Sequence, residues 1–218
     1  MSQPIPTFHP RTRELLAAAG LAPRELDALD VPPIHTLPDL PGFGLVGGTG
    51  KGKTWALVQR LAALVDEAVR RQPDPDQAKL IWIEGEIARD RRILWVNWHD
   101  QAEAIHRGRM ERIMIDRWIE AAQDVSLLVM DDLGREQVER GNDPARAALA
   151  EVLDERFRFK RPVLWTSNLS AEEVASFYRG PLGSRILGTW RAFEVEGQDL
   201  RLAQLGVGEF KKASGGDR

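Results

Sequence analysis

The chain has 218 residues, 43% of them hydrophobic and 29% charged, with a formal net charge of −3. This balance predicts a globular chain with a real core, and no apolar run approaches the roughly 18 residues of a membrane span. No cysteine is present, which excludes a disulfide framework and any thiolate zinc site. The start MSQPIPTFHPRTR has no apolar signal region, so the cytoplasm is the expected compartment.

Residues 1–40 are rich in proline and carry one short amphipathic stretch, RTRELLAAAGL. They read as an N-terminal arm, followed by a core over 41–206 and a flexible tail over 207–218. FGLV (43–46) reads as a short buried strand. Leu57, Leu61, Leu64 and Val65 then recur at helical spacing. KLIWIEGE and RILWVNW read as strands around a charged turn, ARDRR, and a long helix is expected over roughly 100–122. SLLVM (126–130) is a wholly apolar strand, the kind that helices cover on both faces of a parallel sheet. DPARAALAEVLDERFRF reads as a helix with Asp143 as N-cap and Pro144 at its first position. PVLWTSN is the next strand, Ser170 caps AEEVASFY, and RAFEVEG is the last strand. Strands alternating with helices predict an α/β fold: a parallel sheet of about five strands sandwiched by helices.

Gly47-Gly48-Thr49-Gly50-Lys51-Gly52-Lys53-Thr54, with Trp55 behind it, satisfies G-x-x-x-x-G-K-[ST] between a strand and a helix. The glycines allow positive φ and a close approach of backbone to oxygen atoms. Successive N–H groups at a helix N-terminus then make an anion nest, so the motif predicts a P-loop NTPase that binds ATP. Lys53 is expected on the β- and γ-phosphates, and Thr54 on Mg²⁺. About two βα units further on, an apolar strand ends in Asp131 and Asp132. Asp131 is placed to hold the Mg²⁺ shell, Asp132 to orient or deprotonate a water, and Asn168 to contact the γ-phosphate or that water.

GGTGKGKT, LLVMDDLGRE, ALAEVLDERFRF and RPVLWTSNLS together resemble the AAA+ ATPases of the DnaC/DnaI-type helicase-loader and IstB-type transposition-helper group, over about residues 42–205. The resemblance implies an AAA+ core without a C-terminal lid domain. It implies Asp131 as the Mg²⁺ aspartate, Asp132 as the catalytic acid and Asn168 as sensor 1. It also implies a homo-oligomer with ATP between subunits, where a neighbour's arginine completes the site. Arg185 matches that finger, with Arg156 as a weaker candidate. The implied partners are a replicative helicase, or a transposase, and single-stranded DNA. Such proteins usually carry an N-terminal adaptor longer than the stretch before Gly47, so partner recognition is expected on the short arm or the core surface.

The segment HRGRMERIMIDRW supplies Arg107, Arg109 and Arg112, expected on one helix face where they could neutralise phosphates. Glu111 and Asp116 interrupt them, which equally fits a solvated helix. Two readings of other classes stand beside the leading one: a P-loop small-molecule kinase, and an ATP-gated scaffold with little turnover.

Overall fold

The computed structural model describes residues 4–33, 35–71, 93–137 and 143–196. Its frame is a five-stranded, all-parallel sheet in the order β2-β3-β4-β1-β5. The strands are β1 (Phe43–Val46), β2 (Ile93–Asn97), β3 (Leu127–Leu133), β4 (Val163–Ser167) and β5 (Ala192–Glu194). This is the α/β sandwich expected from the alternation of apolar runs. The strand read at KLIWIEGE, the turn ARDRR and the tail from 207 lie outside the described residues.

One face of the sheet is covered by α1 (Pro10–Ala18), the short α2 (Pro23–Leu26) and α3 (Lys53–Arg71). Their apolar cluster joins Leu16, Leu26, Leu57, Leu61 and Val65 to Leu45, Val129 and Leu164 of the strands. The segment before β1 is therefore packed on the sheet. Gln59 fastens it further by donating to the carbonyls of Ala28, Val31 and Pro32. The other face carries α4 (Trp98–His106), α5 (Arg112–Asp124), α6 (Pro144–Arg158), α7 (Ala171–Tyr178) and α8 (Pro181–Thr189), packed on Leu128, Met130 and Trp165. Period-two strands between two apolar layers need apolar residues on both sides, which is why β1 and β4 are buried throughout.

Local sequence explains the helix starts. Asp143 accepts from Arg146 N at 2.9 Å with Pro144 behind it, and Ser170 and Glu173 form a reciprocal capping box. Packing explains Gly44. The Trp165 ring lies across it, and a Cβ there would meet the ring at 2.0 Å.

The region after β2 corrects the sequence reading. Instead of one helix over 100–122 there are two, broken at Arg107–Glu111, where Gly108 takes φ 61°. Asn97 provides the cap, its Oδ1 accepting from Asp100 N at 3.1 Å. Trp98 starts α4, is fully buried, and lies 5.7 Å from Trp118. The break removes the single basic face, because Arg107 and Arg109 flank the turn while Arg112 opens the next helix.

Candidate functional site

The carboxyl ends of parallel strands are where an open α/β sheet leaves a crevice for ligands. A cleft of about 810 Å³ lies there. It is lined by Thr49–Trp55 after β1, Asn97 at the end of β2, Asp131–Arg135 at the end of β3, and Asn168 and Leu169 after β4. Arg24, Glu25 and Asp27 of the N-terminal segment close one side.

Gly47, Gly50 and Gly52 take φ of 128°, 80° and 79°, a turn that other residues resist. At Gly47 there is no space either, since a Cβ would meet the Val195 carbonyl oxygen at 2.8 Å. Gly48 is open, with only the Lys51 side chain at 3.8 Å from a built Cβ. The Lys51 carbonyl is pinned from the N-terminal segment by His35 Nε2 at 2.7 Å. Lys53 is 5% exposed and its Nζ donates to the carbonyls of Gly47 (2.6 Å) and Gly48 (2.8 Å) and to Asn168 Oδ1 (2.9 Å).

The strand order decides the next contact. Because β4 lies between β1 and β3, Asn168 stands between the P-loop and the acids. Its Nδ2 donates to Asp132 Oδ1 at 3.1 Å while its Oδ1 accepts from Lys53. Thr54 Oγ1 donates to Asp131 Oδ1 at 2.9 Å, and Thr166 Oγ1 donates to the same oxygen at 2.6 Å. Burial pushes the Asp131 carboxyl up to about 6; the Thr166 and Thr54 hydrogen bonds oppose the rise and the Asp132 charge adds to it. Asp132 is more open and also pairs with Arg135 at 3.2 Å.

Two oxygen donors, the Thr54 hydroxyl and a desolvated carboxylate, meet here in a setting that favours a hard divalent cation. The donor set therefore fits Mg²⁺. The glycine cradle and the size of the cleft fit a nucleotide. Among the described residues no cluster of three or more histidine or acidic side chains forms a metal cage.

The structure brings Thr49 through Trp55, Asp131, Asp132 and Asn168 into one cleft, while Gly47 and Gly48 do not line it and meet Lys53 through their carbonyls. Arg185 is not among its lining residues: it sits on α8, half-buried, paired with Asp154 of α6. Arg156 is 0% exposed and donates to the carbonyls of Ala122, Gln123, Val125, Ser126 and Pro162. It ties α5 and the loop before β3 to the start of β4, so it has no reach toward another subunit. Arg107 pairs with Glu103 and Arg112 with Asp116, while Arg109 is exposed. His106 is turned inward, 2.9 Å from Asp143. Thr166 is a site residue that the sequence reading passed over. Its signal was legible, because it lies on β4 two residues before Asn168, the spacing at which an extended chain returns to the same side.

Among solved structures, DnaI superposes with a TM-score of 0.51 at 19% identity, over 88% of this chain and 81% of that one. AMPPCP-bound DnaA from Aquifex aeolicus gives 0.51 at 18% identity, over 80% of this chain and 47% of that one. A DNA replication initiation factor gives 0.50 at 16%, over 78% and 44%. The fold is that of the AAA+ P-loop ATPases. No family profile and no curated protein sequence matches the chain. The likeness is one of fold, and the chain spans less than half the length of the DnaA and the DNA replication initiation factor structures. Among the described residues no helix is long and apolar enough to cross a membrane.

Proposed function

We propose that this chain binds ATP with Mg²⁺ and hydrolyses it as a cytoplasmic AAA+ protein of DNA replication, loading a replicative helicase as an oligomer in contact with single-stranded DNA. The observation that carries the reading is the Asn168 bridge. One amide reaches both the P-loop lysine and Asp132, an arrangement with little purpose unless a phosphate is to be sensed between them. The fold shared with DnaI and with a DNA replication initiation factor supports a place in replication.

In this reading Lys53 exchanges the Gly47 and Gly48 carbonyls for β- and γ-phosphate oxygens. Thr54 and Asp131 would hold Mg²⁺, whose positive charge would offset the charge that develops on the phosphates. Asp132, the less buried acid, takes the proton of the attacking water or orients it, and Asn168 fixes the direction of attack. Arg185 acts in a neighbouring copy's cleft, for which it must leave Asp154. Arg185→Ala should therefore keep ATP affinity and lower turnover about 10³-fold, read by single-turnover hydrolysis against equilibrium binding. Equal loss of both would remove the finger. The chain would then be organised as an arm over 1–40 laid on a core over 41–206, with a tail over 207–218. Arg107, Arg109 and Arg112 are the residues proposed to meet DNA phosphates.

The partner is tested with Asp132→Asn as bait in ATP and Mg²⁺ with host lysate, eluting by removal of ATP. Recovery of the replicative helicase supports the loader. Recovery of a transposase moves the chain to the IstB-type helpers. With neither partner, and no hydrolysis by the unmodified protein, the ATP-gated scaffold and the small-molecule kinase are left, and phosphorylation of a nucleoside or small metabolite would decide for the kinase.

A further inference from the structure

The turn at the end of β3 is the strained part of the cleft. Asp132 holds φ 61° without being glycine, and Gly134 follows at φ 83°. The β3–β4 ladder is irregular between Met130 and Leu133. A non-glycine residue stays in this region only where its surroundings over-determine it. Here the ladder does not fasten the turn; side chains do. Thr166 Oγ1 accepts from Asp132 N at 3.0 Å, and Ser167 Oγ donates to the Leu133 carbonyl at 2.7 Å. The Gly134 N–H lies 2.9 Å from both Glu136 Oε2 and Tyr178 Oη. The Tyr178 hydroxyl in turn donates to Glu136 Oε1 at 2.5 Å, which closes a circuit.

Glu136 and Tyr178 are 9% and 1% exposed, and neither lines the cleft. A buried carboxylate and a buried phenol are costly to desolvate, and an apolar pair of like size would pack there without that cost. Their polar atoms converge on one backbone N–H, two residues beyond Asp132. A side chain at Gly134 would be strained at φ 83° and would have to displace the Leu169 side chain, whose Cδ1 lies 2.6 Å from a built Cβ. Tyr178 is the last residue of α7, which packs on α8 where Arg185 resides.

We propose that Glu136 and Tyr178 are positioning residues: they lock the Asp132–Gly134 turn and so aim the Asp132 carboxylate at the γ-phosphate position. The proposal rests on Asp132 being the catalytic acid. It predicts an effect on turnover and not on nucleotide affinity, because neither side chain reaches the cleft.

The test is a double-mutant cycle on ATP hydrolysis, with kcat, KM and thermal unfolding followed in each variant. Tyr178→Phe should lower kcat roughly tenfold, the loss expected for one hydrogen bond in the transition state, with KM within about twofold. Glu136→Gln can still accept from Gly134 N–H through its amide oxygen and should lose less, about threefold. In the Asp132→Asn background neither change should lower the residual rate further, because the group being aimed is gone. A merely structural role predicts the same fractional loss in both backgrounds, and that result overturns the proposal. So does an unchanged kcat in a folded Tyr178→Phe protein; if that variant does not fold, Glu136→Gln carries the same cycle and an unchanged kcat there has the same meaning. Wild-type hydrolysis by Asp132→Asn alone would instead remove Asp132 as the acid, and the positioning role with it. Loss with Asp132→Asn but none with Tyr178→Phe or Glu136→Gln removes only the positioning role.

Discussion

The P-loop turn and the turn after β3 face each other across the cleft and solve the same backbone problem differently. Both need residues at positive φ. The P-loop uses glycine at Gly47, Gly50 and Gly52, which adopt it at no steric cost. The turn after β3 places Asp132, the acid of the proposed mechanism, at φ 61°, and the strain is met by bonds from β4, α7 and Glu136. A conformation that glycine supplies is written locally. One imposed on a functional side chain has to be held by distant parts of the chain.

Removing the carboxylate is the most severe way to break this comparison. Asp132→Asn should cost about 10²–10⁴-fold in turnover, the usual worth of a positioned acid or base, with ATP binding retained in equilibrium titration. Full activity would mean that the strain at 132 serves no chemistry. Next comes the other turn. Gly47→Ala forces φ 128° on a residue with a Cβ and drives that Cβ to 2.8 Å from the Val195 oxygen. It should lose about 1–3 kcal/mol of stability, seen as a lower denaturant midpoint, and much of its nucleotide affinity.

A pH effect sharpens the comparison from the side of Asp131. Its carboxyl is pushed up to about 6 in the folded protein, so the folded chain binds a proton more tightly than the unfolded chain. The metal-free protein should lose stability as pH rises from about 4 to about 6, and stay at the lower level above that. Mg²⁺-dependent hydrolysis should fall as pH drops through the same value, because the cation needs the ionised acid. Thr166→Val removes the strongest opposing hydrogen bond and should move both transitions upward, measured by denaturant midpoints and rate profiles between pH 4 and 8. The smallest effect carries the opposite sign to Gly47→Ala. Asp132→Gly relieves the left-handed strain at some cost in chain entropy, and should gain about 0.5 kcal/mol while hydrolysis is lost.

Much of this was legible before the fold. The P-loop was readable because its chemistry, turn and helix start occupy eight consecutive residues. Strand ends and caps such as Asp143 and Ser170 followed from local hydrogen bonding. The misreadings share a cause. The helix over 100–122 breaks at Gly108, where a single glycine in a helical pattern does not announce a turn. Arg156 read as a weaker finger candidate, yet it serves five carbonyls that only the packed structure brings together. Glu136 and Tyr178 stand 42 residues apart, with no spacing rule to connect them.

The sequence by itself determined which groups could do chemistry: a phosphate-sized nest of glycines, a lysine, a threonine, two acids at a strand end and an asparagine at another. It could do so because each lies in a short segment whose periodicity fixes its own strand, turn or cap. The tertiary structure decided how these groups meet. Placing β4 between β1 and β3 sets Asn168 between Lys53 and Asp132, and the bonds from Thr166, Glu136 and Tyr178 hold the Asp132 turn open. Strand order and burial are properties of the whole sheet, fixed by how two apolar layers cover it, and no local stretch of sequence carries them.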